Sequence, residues 1–168
     1  ETDRLDELAY PASTDVEQVL EQFKRIKERN EDGMTVVFST YQSIDVISKS
    51  QEKLIENGFP EFDLIICDEA HRTTGVTLAG RDESAFTKVH NNDFLKSKKR
   101  LYMTATPRLF SDDSKSKAAQ YDAVLCSMDD ESLYGEEIYR IGFGEAVEKD
   151  LLTDYKVLIL TLSDQDIP

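Results

Sequence analysis

The 168-residue chain has no apolar stretch approaching the roughly 18 residues of a membrane-spanning helix. Its start, Glu1-Thr2-Asp3-Arg4, lacks a signal-peptide pattern. The setting expected from these absences is soluble and cytoplasmic, with no membrane partner. Cysteine is scarce: Cys67 and Cys126 each sit inside an apolar run, which reads as buried core thiols rather than a bridge or metal pair. Histidine is as scarce, with His71 and His90 in different segments. Methionine is missing from position 1, where glutamate stands, so the chain reads as a piece of something longer or as a processed start. What is present is 39% hydrophobic residues, enough for the core of one domain. A basic surface is not: the net charge is −14. The acidity is concentrated late, since residues 111–168 carry 14 acids and 5 bases. It reads as a solvated face, and it does not exclude nucleic acid.

The periodicities divide the chain into alternating elements. Residues 1–12 form a lead-in ending at Tyr10-Pro11. Ser13, Thr14 and Asp15 offer N-caps to a helix whose Val16, Val19, Leu20, Phe23 and Ile26 share one face. Met34 to Thr40 is β-branched and strand-like, a second helix is expected from Ser43 to Asn57, and Phe62 to Cys67 reads as a buried strand. Thr73-Thr74-Gly75 and Gly80-Arg81-Asp82 mark a loop before a short helix around Ser84 to His90. A strand follows over Lys99 to Thr104, and Pro107 keeps Thr104-Ala105-Thr106 at its carboxyl end. Asp112 to Lys117 is polar and is expected to be mobile. Phe143 to Leu152 reads as a helix and Tyr155 to Leu162 as a last strand. Strands separated by helical segments predict an α/β fold, a mainly parallel sheet with helices on both faces. Ligands then collect at the carboxyl ends of the strands, where Ser39–Ser43, Asp68–His71 and Thr104–Thr106 lie.

The run Phe62-Asp63-Leu64-Ile65-Ile66-Cys67 ends in two adjacent carboxylates and a histidine, Asp68-Glu69-Ala70-His71. Adjacent carboxylates repel and lose hydration, so placing them at the end of the most hydrophobic strand points to a metal and a water held there, as in ATP hydrolysis. The first acid, Asp68, can hold Mg²⁺; the second, Glu69, can orient and deprotonate the attacking water. The plainer alternative is a polar exit from a strand.

Asp68-Glu69-Ala70-His71 after this run, followed by Thr104-Ala105-Thr106-Pro107, resembles the superfamily 2 helicases and translocases of DEAH type. Asp68-Glu69-Ala70-His71-Arg72, with Phe143–Glu148 and Leu151–Val157, is similar to the motors of type I, type III and type ISP restriction enzymes. The resemblance covers roughly residues 13–162. It implies a RecA-like P-loop NTPase fold, Asp68 as the Mg²⁺ carboxylate and Glu69 as catalytic base. It further implies that His71, Thr104 and Thr106 couple hydrolysis to movement. Thr40, Gln42 and Ser43 would contact the phosphates of single- or double-stranded DNA, which backbone and hydroxyl groups do without net positive charge. Structural alternatives stand beside these roles: a hydrogen-bonded His71, capping threonines, and an N-cap at 40–43. Arg72 and Arg108 are weaker candidates for a phosphate.

None of the seven glycines is followed by lysine, so the Gly-Lys-Ser or Gly-Lys-Thr of a phosphate-binding loop is missing from the chain. The chain is therefore expected to be the distal part of a first motor domain, residues 13–153, with residues 154–168 leading toward a missing second motor domain. Such a piece would be inactive alone, with ATP and Mg²⁺ used only by the intact parent, an ATP-dependent DNA helicase or translocase of restriction or phage defence. Loss of the preceding strand would leave a sheet edge exposed and favour self-association. Two other readings remain: a noncatalytic acidic interaction module, and a metal hydrolase using Asp68, Glu69 and His71, disfavoured because consecutive strand residues point to opposite faces.

Overall fold

The computed structural model describes residues 10–28, 33–56, 58, 60–78, 84–121, 123–154 and 156. The chain divides into two units, Glu1–Gly135 and Glu136–Pro168. In the first, helix α1 (Val16–Glu28) starts where Asp15 Oδ1 accepts the N–H groups of Glu17 and Gln18, at 2.8 and 3.1 Å. That cap satisfies two of the donors a helix start leaves open. Val19 and Leu20 are buried on its apolar stripe, and α1 packs on helix α2 (Ile44–Glu56), with Glu17 and Lys53 paired across them.

Strand β1 (Phe62–Cys67) pairs in parallel with a later strand over Ser97–Tyr102, with Leu64 opposite Lys99 and Cys67 opposite Tyr102. Ile44, Cys67, Ala70, Val89 and Leu95 are the buried heart of the core, flanked by Tyr41, Ile47, Phe62, Ile65, Phe94 and Tyr102. Gln51 fixes α2 to this sheet: its amide nitrogen donates to the Lys96 carbonyl and its oxygen accepts the Lys96 N–H, both at 2.7 Å. The expected parallel pairing is thus present. It is joined by a second, antiparallel pair that periodicity does not reveal, β2 (Gly75–Leu78) with a strand over Ala123–Cys126. Numbering in chain order, Ser97–Tyr102 is β3 and Ala123–Cys126 is β4. Both cysteines lie buried as thiols, as expected.

Several expectations are corrected. Met34 to Thr40 belongs to neither sheet, and Met34 and Phe38 are 90% and 70% exposed. β-Branched composition makes a strand only where a neighbour supplies hydrogen bonds, and none of the described strands does. Helices do not cover both faces of β1 among the described residues, because Leu64 and Ile66 remain 49% and 56% exposed. The stretch Ser84 to His90 is a set of turns ending in a 3₁₀ turn over Lys88–His90. The polar stretch from Asp112 is helix α3 (Asp112–Gln120), because Ser111 caps it and Lys115 reaches Asp129 at 2.6 Å. A short helix α4 (Glu131–Tyr134) closes the unit, capped by Asp130.

In the second unit, helix α5 (Phe143–Glu148) is shorter than periodicity suggests, and the Leu151 and Leu152 N–H groups fold back onto the Ala146 carbonyl. The strand expected over Tyr155–Leu162 lies outside the described residues apart from Lys156. None of the described helices is long and apolar enough to cross a membrane.

Candidate nucleotide-hydrolysis site

The β1–β3 register decides which polar groups meet. Past the last paired residues, the Met103 N–H donates to the Cys67 carbonyl and the Ala70 N–H to the Met103 carbonyl, each at 2.9 Å. The two chains therefore leave the sheet side by side, and Thr104 emerges beside the acidic turn. Its hydroxyl lies 3.0 Å from His71 Nδ1 and accepts the Thr106 N–H at 3.2 Å. The same His71 nitrogen is 3.3 Å from a carboxylate oxygen of Glu69. Glu69, His71, Thr104 and Thr106 thus form one connected group at the carboxyl end of a parallel pair, at neighbouring strands.

Asp68 and Glu69 do not continue the strand geometry. Glu69 has left-handed backbone angles, φ 49° and ψ 44°, which cost a residue with a side chain roughly 1–2 kcal/mol. The turn is held on both sides: Asp68 Oδ1 accepts the Glu69 N–H at 2.9 Å, and the Glu69 carbonyl accepts the Arg72 N–H at 2.9 Å. The Glu69 side chain is 59% exposed and that of His71 32%, so the acid faces solvent while the histidine is tucked against Thr104.

Thr40, Gln42 and Ser43 lie on the 3₁₀ turn Tyr41–Ser43 and its leading residue, with Thr40 and Gln42 exposed. The Thr40 hydroxyl donates to that of Ser43 at 3.2 Å, and its carbonyl accepts the Ser43 N–H at 3.1 Å. The capping alternative is therefore realised as a backbone turn; Thr40 makes no side-chain cap to the 3₁₀ turn. Arg72 lies over the Phe86 ring, its guanidinium carbon 4.9 Å from the centroid, and Arg108 over that of Phe110 at 5.2 Å.

Beneath the acidic turn lies a polar and aromatic cluster that sequence reasoning missed. Thr73, fully buried, donates its hydroxyl to the Ala70 carbonyl at 2.8 Å and accepts from the Tyr134 hydroxyl at 3.0 Å. His90 Nε2 donates to the Thr73 carbonyl at 3.2 Å, which leaves Nδ1 to accept from the Tyr102 hydroxyl at 2.9 Å. Every group is satisfied when His90 is neutral. The rings of His90, Tyr102 and Tyr134 lie within 4.7–5.3 Å of one another. Burial pushes the His90 imidazole below its usual range and the Tyr134 phenol up to about 12. The cluster clamps the 3₁₀ turn Ala70–Thr73, and with it His71, to β3 and α4. Its only trace in the sequence is an isolated histidine, because its partners come from distant segments.

Among the described residues no three histidine, cysteine or acidic side chains gather in a way that could hold a metal. Asp68 alone suits a cation that takes one or two carboxylates and completes its shell with phosphate and water oxygens, as Mg²⁺ does. The donor set does not suit zinc, which asks for three or four protein ligands.

The sequence pattern of the family described as type III restriction enzyme, res subunit, matches residues 3–109, which include the acidic turn and Thr104–Thr106. A protein named as a probable helicase in African swine fever virus is 30% identical over 132 residues, covering 79% of this chain and 12% of its own length. Two solved structures are also similar. A nuclease-deletion mutant of the type ISP restriction-modification enzyme LlaGI, in complex with a DNA substrate mimic, is 44% identical with a TM-score of 0.64, covering 92% of this chain. The ATP-dependent type ISP restriction-modification enzyme LlaBIII bound to DNA is 47% identical with a TM-score of 0.66, covering 91%. This chain spans 11% and 10% of those two chains. The family match spans well over half of the chain, and the chain belongs to the family of the type III restriction enzyme res subunit.

Proposed function

We propose that these residues are the distal part, residues 13–153, of a RecA-like motor domain in an ATP-dependent DNA helicase or translocase of restriction or phage defence, with 154–168 leading to a second motor domain. The observation that carries the reading is the meeting of Glu69, His71 and Thr104 where β1 and β3 end. It is supported by the likeness to DNA-bound type ISP enzymes at well over a third identity.

In this reading Glu69 accepts the proton of the water that attacks the terminal phosphate, which suits an exposed carboxylate held by a fixed turn. Asp68 holds Mg²⁺, which when bound offsets the charge developing on the phosphate oxygens. His71 links Glu69 to Thr104, and Thr104 links His71 to the Thr106 N–H, so a change at the base reaches the segment after β3. Thr40, Gln42 and Ser43 offer hydroxyl, amide and backbone groups to DNA phosphates. With no Gly-Lys-Ser or Gly-Lys-Thr, the 168 residues by themselves are expected not to hydrolyse ATP.

The test is DNA-stimulated ATP hydrolysis by the full-length protein that contains this chain, unchanged and as Glu69→Gln. A general base contributes about 10²- to 10⁴-fold, and a loss of that size with folding retained is expected. Equal turnover in the two proteins, or none in either, would favour a noncatalytic interaction module instead.

A further inference from the structure

Between the residues assigned to DNA, Tyr41 turns the other way. It packs against the buried core, while Thr40 and Gln42 on either side are exposed. The Tyr41 hydroxyl donates to the carbonyl oxygen of Asp68 at 2.7 Å. Its ring lies 5.6 Å from that of Phe86, the ring that also carries the Arg72 guanidinium. Burial pushes the Tyr41 phenol well above its usual range, so it remains a neutral donor.

The Asp68 carbonyl and the Glu69 N–H are the two ends of one planar peptide. Tyr41 holds the first and Asp68 Oδ1 the second. The tilt of that plane sets where the left-handed Glu69 begins, and a tilt moves both carboxylates together. Through Phe86, Tyr41 also touches Arg72, on the far side of the acidic turn. A displacement of the 40–43 turn therefore reaches Asp68, Glu69 and Arg72 through one side chain.

We propose that Tyr41 is a positioning residue that transmits DNA contact at Thr40, Gln42 and Ser43 to the peptide joining Asp68 and Glu69. This role rests on the function proposed above. A hydrogen bond is steep in distance and angle, so small movements of the turn change its strength. DNA that seats the turn fixes the peptide in its productive tilt, and without DNA the tilt is less defined.

The experiment measures, in the full-length protein, the stimulation factor (turnover at saturating DNA divided by turnover without DNA) and the DNA concentration giving half-stimulation. Tyr41→Phe keeps the ring and removes the hydroxyl. It is expected to lower the stimulation factor at least about fivefold, in the range of ordinary couplings between sites, with half-stimulation at the same DNA concentration. Gln42→Ala is expected to do the converse, raising the DNA concentration needed while keeping the maximal factor. Full stimulation in Tyr41→Phe, or weakened DNA binding with the full factor, would overturn the role while leaving the motor function standing. Absence of DNA-stimulated turnover in the unchanged protein would overturn the function and this role with it. In the unchanged protein DNA is also expected to raise the amide hydrogen-exchange protection of residues 68–72, and equal protection with and without DNA would overturn the role if Tyr41→Phe did not fold.

Discussion

Glu69 adopts a backbone region that side-chain-bearing residues avoid, and the groups around it explain how the turn bears the cost. Asp68 and Arg72 tie it at either end, and buried Thr73 with half-buried His90 and Tyr134 anchors the turn that follows. Among these residues His90 has a measurable signature. Burial lowers its pKa, partly offset by the hydrogen bond to the Thr73 carbonyl; nearby Arg100 lowers it further and Asp130 raises it. The unfolded chain, with an ordinary value near about 6.5, then binds more protons than the folded one in the window below that pH. Stability is therefore expected to fall as pH drops from about 6.5 toward the folded pKa, and His90→Gln, which keeps a donor for Thr73 but does not titrate, should flatten that part of the profile. Urea midpoints at several pH values check this, and parallel profiles for the two proteins would contradict it. At this scale the sequence shows which residue types bear chemistry, since Asp68, Glu69 and His71 stand out after an apolar run. It does not show Tyr41 or Tyr134, whose partners lie 27 and 61 positions away.

Among the elements, β1 was legible as a short apolar run ending in acids, and the two helices before it because their apolar residues recur at 3.6 spacing between start and stop signals. β2 and β4 were not, because each is four residues long and forms only through its distant partner. α3 was hidden by its polarity; Ser111 caps it, and a single small apolar residue, Ala118, is what it buries where it packs on β4. The element contact with the clearest energetic meaning is Gln51 at the start of β3. Its buried amide satisfies the Lys96 N–H and shares the Lys96 carbonyl with the Phe62 N–H of β1, which reaches it at 3.3 Å. Gln51→Ala is expected to lower stability by about 1–2 kcal/mol, the range for losing buried hydrogen bonds, measured by urea unfolding of the chain. An unchanged midpoint would show that water replaces the amide without loss.

At the scale of the whole molecule, the described part carries apolar surface that a sheet covered on both faces would bury. Leu64 and Ile66 of β1, with Val36 and Phe38, are about half exposed or more. Exposed apolar strand surface favours association. The 168-residue chain is expected to self-associate, with a sedimentation coefficient rising with concentration, and Ile66→Lys to shift it toward monomer. A concentration-independent monomer for the unchanged chain would contradict this. The α/β class and the acidic turn were readable from sequence, whereas the coverage of the sheet was not, because an apolar strand looks the same whether or not a second layer lies on it. The most direct measurement is a single turnover of pre-bound Mg-ATP, followed in the presence of DNA by rapid quench, in the full-length protein and in Glu69→Gln. The unchanged protein should cleave the bound nucleotide, while Glu69→Gln should retain it intact about 10²- to 10⁴-fold longer; cleavage at the same rate in both would contradict the placement of Glu69 at the attacking water.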